Sequence, residues 1–254
     1  MKLFDSHCHL DFAVFDGDRK EIIDECKSQG IQHILLPGVT AATWSRLLKL
    51  AQSDDLFVSA LGLHPYFVQQ HSMDHLPLLE QYLAENKVSA IGEIGLDYYL
   101  ANLDQDLQKE YFTKQLALAK NENLPVILHV RKAHDDVLQQ LRKFKLSGGI
   151  VHAFSGSEQQ AAQYIDLGFK LGFGGSVTYE RATKLRRLIK NVPLESIVLE
   201  TDAPDMAPAK YSQQRNSPVY ILETLHVISE LREEPVQQIL RTTTQSALNV
   251  LHLN

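Results

Sequence analysis

Eight times along the chain a short apolar run, rich in β-branched residues, gives way to a stretch whose apolar residues return at the helical period. No other feature restricts the fold as much. The runs cover 2–10, 31–39, 56–64, 88–96, 125–130, 148–154, 169–177 and 196–202. They are continuous rather than alternating in polarity, as strands are when a parallel sheet is covered on both faces. Helical patterns occupy 18–29, 40–53, 74–86, 103–121, 133–145, 157–167, 181–190, 217–231 and 235–250. In 103–121, Leu107, Tyr111, Phe112, Leu116 and Ala119 share one face, and Gly30 stands where a left-handed cap would end the first helix. Eight strand–helix units predict an α/β fold of the (β/α)8 TIM-barrel type, with a doubly wound open sheet as the alternative. At 254 residues the chain matches one such domain, spanning 1–254.

Polar residues fall at telling places in these runs. His7 and His9 end the first and His64 ends the third, while Glu93 is late in the fourth. His129, His152 and the pair Glu200 and Asp202 end the fifth, sixth and eighth. The C-terminal ends of barrel strands form one rim, and that rim carries chemistry. Imidazole and carboxylate are also the side chains that bind divalent metals. In "DSHCHLD" the strand period puts Asp5, His7 and His9 on one face, where the two imidazoles could chelate one ion, and turns Cys8 toward the helix layer.

Bulk composition excludes other classes. Hydrophobic residues make up 44% and charged residues 22%, as in a soluble domain with a full core. No apolar run approaches the roughly 20 residues of a spanning helix, so no membrane partner is expected. "MKLFDSHCHL" lacks a signal-peptide hydrophobic region. The two cysteines, Cys8 and Cys26, fit neither a disulfide framework nor a cysteine zinc site. The expectation is a cytoplasmic protein with no obligate protein partner. A net charge of −6 argues against coating a long duplex, which takes many lysines and arginines.

The stretches "FDSHCHLDF", "GLHPY", "AIGEIGLDYY", "PVILHVRKA", "VHAFSGS" and "LETDAP" occur in an order and spacing that resemble the TatD family of metal-dependent hydrolases, from about residue 3 to 250. The resemblance implies an amidohydrolase-like barrel, deoxyribonuclease activity and two divalent cations, whether zinc, manganese, magnesium or nickel. One cation would be held by His7, His9, Glu93 and Asp202, the other by Glu93, His129 and His152. Glu93 would then bridge them, and Asp202 would also serve the attacking water as general base or its orienter. The substrate implied is a nucleic acid, DNA above all, and the acidic balance favours short or single-stranded ends. His64, Arg131 and Arg215 are candidate substrate contacts, Arg131 because guanidinium matches phosphate oxygens.

Other residues carry less. Glu200 shares strand parity with Asp202 and either supports the site or packs in the barrel. His134 reads as a solvated histidine opening a helix, Asn216 as a helix cap, and Lys184, Arg186, Arg187 and Lys190 as a solvated helix face. Trp44 and Tyr82 read as packing residues. No aromatic-rich basic motif of the single-strand-binding kind is visible. Two rival functions share these residues: hydrolysis of another ester or an amide (an aminoacyl ester on transfer RNA, a lactone, a cyclic amide), and metal binding without turnover.

Overall fold

The computed structural model describes residues 2–253. Strands β1 (Leu3–Asp5), β2 (Ile31–Pro37), β3 (Phe57–Leu61), β4 (Ala90–Asp97), β5 (Val126–Arg131), β6 (Gly149–Val151), β7 (Phe169–Phe173) and β8 (Ile197–Leu199) pair in parallel in chain order. Helices α1 (Arg19–Ser28), α2 (Ala41–Ala51), α3 (His75–Glu85), α4 (Gln105–Asn121), α5 (His134–Phe144), α6 (Glu158–Asp166), α7 (Thr183–Asn191) and α8 (Ile221–Arg232) follow the strands in turn, and α9 (Val236–Val250) is added at the end. The seam between β8 and β1 is drawn together by side chains as much as backbone. Ser6 N–H donates to the Leu199 carbonyl at 2.9 Å, and the Thr201 N–H and hydroxyl both donate to the Asp5 carboxylate, at 2.9 and 2.6 Å. This is the expected barrel, not the open sheet.

Two apolar layers hold it. The larger joins the outer faces of the strands to the helices and includes Leu3, Ile34, Leu61, Ile94, Leu128, Leu171 and Leu199. The smaller fills the barrel interior with Phe4, Leu35, Val58, Ala60, Ile127, Ile150 and Val198, against Ala247 and Val250 of α9 and Leu251 just after it. Each fully buried aliphatic side chain contributes roughly 1.5–3 kcal/mol of burial free energy. Helix α9 thus closes the N-terminal end of the barrel, and the polar residues collect at the other.

Most strands end sooner than the apolar runs do, β4 and β5 excepted. β1 stops at Asp5, so His7 and His9 project from the turn beyond it and not from alternate positions of one strand. Asp5 parts company with them, because its carboxylate is taken by Thr201 and by the His7 N–H at 3.3 Å. Cys8, between the two histidines, is buried as expected, with its thiol 3.9 Å from the Ala203 carbonyl. Trp44 is buried too, and its indole N–H reaches the Gly62 carbonyl.

Candidate metal centre

Glu93 stands in the middle of β4 with its carboxylate at the centre of the barrel mouth, 1% exposed. The glycines around it let β4 and β5 come close. A Cβ on Gly92 would lie 2.5 Å from that of Ile127, and one on Gly95, at φ +145°, would lie 1.9 Å from the His129 carbonyl oxygen. The two oxygens of Glu93 face different neighbours. Oε2 is 3.1 Å from His7 Nε2 and 3.7 Å from His9 Nε2. Oε1 is 3.1 Å from His64 Nε2, 3.1 Å from His129 Nδ1 and 3.6 Å from His152 Nε2. Asp202 completes the first group, its Oδ1 being 3.6 Å from His7 Nε2 and 3.7 Å from His9 Nε2.

The turns that deliver these groups are tightly specified. Asp202 has a left-handed backbone (φ +56°), and its N–H donates to the His7 carbonyl at 2.8 Å, so two ligand candidates from opposite ends of the chain are fixed to each other. His9 stacks on Phe12, ring centroids 4.6 Å apart, and His7 stacks on His152 at 3.7 Å.

Sequence comparison then decides the family. A family model described as "TatD related DNase" matches residues 4–252. This chain belongs to the TatD family. It is 40% identical to the uncharacterized metal-dependent hydrolase YjjV of Escherichia coli (strain K12), over 98% of each protein. It is 33% identical to a protein of Pantoea ananatis (strain LMG 20103) named 3'-5' ssDNA/RNA exonuclease TatD, over 99% of this chain and 100% of that one. The crystal structure of YjjV from E. coli superposes with a TM-score of 0.95 at 39% identity, covering 99% of this chain and 98% of that one.

Electrostatics in this TatD-family centre call for a cation. Glu93, Asp202, Glu200 and Asp97 are 15% exposed or less at the side chain, and among the described residues none has a lysine or arginine ion pair. Buried carboxylates without such partners are costly unless another cation neutralises them. Burial pushes Glu93 up, but His64, His7 and His152 together hold it well below the usual carboxylate range. Burial pulls His152 down, yet Asp202, Glu200 and Glu93 outweigh it and carry the ring to about 10. His9 is depressed by burial to about 4 and His7 is pushed well below its ordinary value, so both offer neutral nitrogens. Burial lifts Asp202 to about 7 against the pull of His152. Imidazole nitrogens and carboxylate oxygens at this spacing suit divalent cations, which take the place of the proton on His152, and three groups of such atoms lie within 4.8 Å of one another: His7, Glu93 and His152; His7, His9 and Asp202; His64, Glu93 and His129.

All six expected ligand residues, His7, His9, Glu93, His129, His152 and Asp202, therefore converge. His64, expected only near the substrate, also touches Glu93. Its Nδ1 accepts the Tyr66 N–H at 3.0 Å, which leaves Nε2 as the proton-bearing nitrogen directed at Glu93. Arg131 walls a cavity of about 450 Å³ beside the centre, lying over the Tyr99 ring at 3.7 Å.

Arg215 is elsewhere. Its guanidinium is ion-paired to Asp18, donates to the Val14 carbonyl and covers the Phe15 ring, so it ties the first loop down and does not wall that cavity. Two further expectations fail, one for burial and one because other partners take the side chain. His134 is buried, 3.2 Å from the Tyr164 hydroxyl, and not solvated. Asn216 caps no long helix; fully buried, it donates to the Thr201 and Asp205 carbonyls and so clasps the loop that carries Asp202.

Asp97 escaped the sequence reading. Its Oδ2 lies 3.1 Å from His129 Nε2, behind the ring. Strand parity was the available signal, since positions 93, 95 and 97 of β4 point the same way. Glu200 takes the matching place behind His152, 3.3 Å from Nδ1, while its Oε1 accepts the Ala153 N–H.

Proposed function

We propose that the chain is a metal-dependent phosphodiesterase acting on single-stranded or frayed ends of nucleic acid, DNA above all, with two divalent cations held on the two sides of Glu93. One observation carries the reading: the oxygens of Glu93 are divided between His7 and His9 on one side and His129 and His152 on the other. In this assignment His7, His9 and Asp202 hold one cation and His129 and His152 the other. A bound pair supplies Lewis-acid stabilisation of a phosphoryl group and a nucleophile at neutral pH. The similarity to a protein named an exonuclease on single-stranded DNA and RNA supports the choice of substrate.

The side chains divide the remaining work. Asp202 is the acid of the cluster that opens to the cavity, its side chain 15% exposed against 2% for Glu93. It orients the attacking water and takes its proton. His64 directs its N–H at Glu93 and holds that carboxylate in register. Arg131, at the cavity wall, binds a phosphate oxygen. Asp97 and Glu200 fix which nitrogen His129 and His152 present.

A substrate panel tests the reading: single-stranded oligonucleotide, aminoacyl ester and cyclic amide, each with and without chelator. The expected result is chelator-sensitive cleavage of the oligonucleotide alone. Turnover confined to the ester or the amide would replace the phosphodiesterase assignment.

A further inference from the structure

Although the net charge is −6, cations held in no ion pair border the mouth of the barrel. Among the described residues the side chains of Arg131, Lys132 and Arg181 have neither an ion pair nor a hydrogen bond. Each lies instead over a tyrosine: Arg131 and Lys132 over Tyr99 at 3.7 and 4.8 Å, and Arg181 over Tyr179 at 5.1 Å. Elsewhere on the surface Arg46, Arg187, Lys210 and Arg215 are paired with acids, whereas Arg241 has neither an acid nor a ring against it among the described residues. A guanidinium held by a ring keeps its charge free for a ligand's anion.

The two clusters border the metal centre's cavity at different strand ends, those of β4 and β5 in one case and that of β7 in the other. Arg131 walls that cavity on the β5 side, whereas Tyr179 and Arg181 wall a second cavity of about 550 Å³, which shares Ser176 and Met206 with the first. Between them the first cavity is apolar where Phe154, Phe173, Leu185 and Met206 line it, and next to His129, His152 and Asp202. At about 450 Å³ it falls within the range of small-ligand sites, roughly 300–1,000 Å³.

Resting on the phosphodiesterase reading, we propose that a single strand crosses the centre anchored at both ends, by Tyr99, Arg131 and Lys132 on one side and by Tyr179 and Arg181 on the other, with one unstacked base in the apolar cavity between. A base seated there has left its stack, which a paired duplex resists and a single strand allows. The ring–cation pairs serve as stacking surface and phosphate anchor, and neither demands a particular sequence.

Fluorescence anisotropy of labelled oligothymidylates of two, four and eight nucleotides, with chelated protein at several salt concentrations, tests this path. Affinity is expected to climb until the strand reaches both anchors and then level off. Arg181→Gln should weaken the octamer roughly tenfold and lower the slope of log affinity against log salt by about 0.7, the release expected for one phosphate of a single strand. Tyr179→Leu should weaken it by a similar factor, within the range of a lost base–aromatic stack, while Tyr179→Phe keeps the ring and the affinity. Arg241→Gln, the same change of charge at an exposed position of α9, is the control and leaves the slope unchanged. Equal effects of Arg181→Gln and Arg241→Gln, or affinity independent of length, would overturn the path. Metal-loaded wild type is assayed alongside on bis(p-nitrophenyl) phosphate. Turnover there without the length and Arg181 effects removes the path and leaves the activity; those effects without hydrolysis of any phosphodiester keep the path and remove the activity.

Discussion

Oδ2 of Asp97 lies 3.1 Å from Nε2 of His129, on the side of the ring away from Glu93, whose Oε1 is 3.1 Å from Nδ1. The carboxylate therefore fixes which nitrogen carries the proton and which faces the centre. Burial alone would lower His129, but the contact with Asp97 and then that with Glu93 raise it above the ordinary histidine value. Asp97→Asn keeps the shape and removes the charge. We expect metal affinity to fall about 10–100-fold, as for other carboxylate–histidine pairs at metal sites, with the far-ultraviolet spectrum unchanged. Calorimetric metal titration checks this; unaltered affinity would remove Asp97 from the positioning scheme.

Gly172 leaves room for Glu200 as no other residue could. A Cβ there would meet Glu200 Oε2 at 2.1 Å and its carboxyl carbon at 2.8 Å. Gly172→Ala must push Glu200 off the Ala153 N–H and away from His152. Overpacking of this kind costs about 1–3 kcal/mol. A lower melting temperature is expected together with weakened binding on the His152 side. A variant that melts normally and binds metal normally would show that Glu200 can be moved without consequence.

Thr201→Val tests the seam. Burial raises the Asp5 carboxyl to about 8, and the Thr201 hydroxyl is the largest of the forces that oppose the rise. Removing that hydroxyl raises the folded-state value further. A carboxyl whose folded pKa exceeds its unfolded one binds an extra proton when folded, so stability is lost as pH rises through that window. At pH 6 Asp5 is protonated with or without the hydroxyl, and the variant loses one hydrogen bond, about 0.5–1.5 kcal/mol. At pH 9, one unit above the wild-type value, the loss is greater by about 1 kcal/mol if the folded pKa moves up one unit, and by at most about 1.4 kcal/mol however far it moves. Denaturant unfolding of chelated protein at the two pH values measures the difference, and a loss that shrinks with pH would contradict it.

Much of this centre is legible in the sequence because barrel topology turns distance along the chain into adjacency. His7 and Asp202 are far apart in sequence, yet both follow strands that meet at the seam, and residues of that kind were recognisable from their place at the ends of apolar runs. What was hidden depended on local backbone. His7 and His9 share the site although β1 ends before them, since the turn around buried Cys8 aims them and strand alternation does not. Arg215 and Asn216 sat beside the expected substrate but are used to pin loops, a choice settled by Asp18 and by the Thr201 and Asp205 carbonyls. Tyr99 and Arg131 lay in two of the recognised stretches but their pairing did not show, and Tyr179 and Arg181 lay in none, because the residues come from different strand ends and meet only around the cavity.

Metal content and turnover of Glu93→Gln, beside wild type, test the proposed bridging role of Glu93 most directly. With its charge gone and one oxygen replaced by an amide, Glu93 can no longer serve both sides. Wild type is expected to take up two equivalents of divalent cation and to cleave single-stranded oligonucleotide until chelator is added. Glu93→Gln, still folded, is expected to hold fewer than two equivalents and to lose at least about a thousandfold in rate, the scale set by losing preorganised charge at a reacting centre. Two equivalents retained with wild-type, chelator-sensitive turnover would contradict the account.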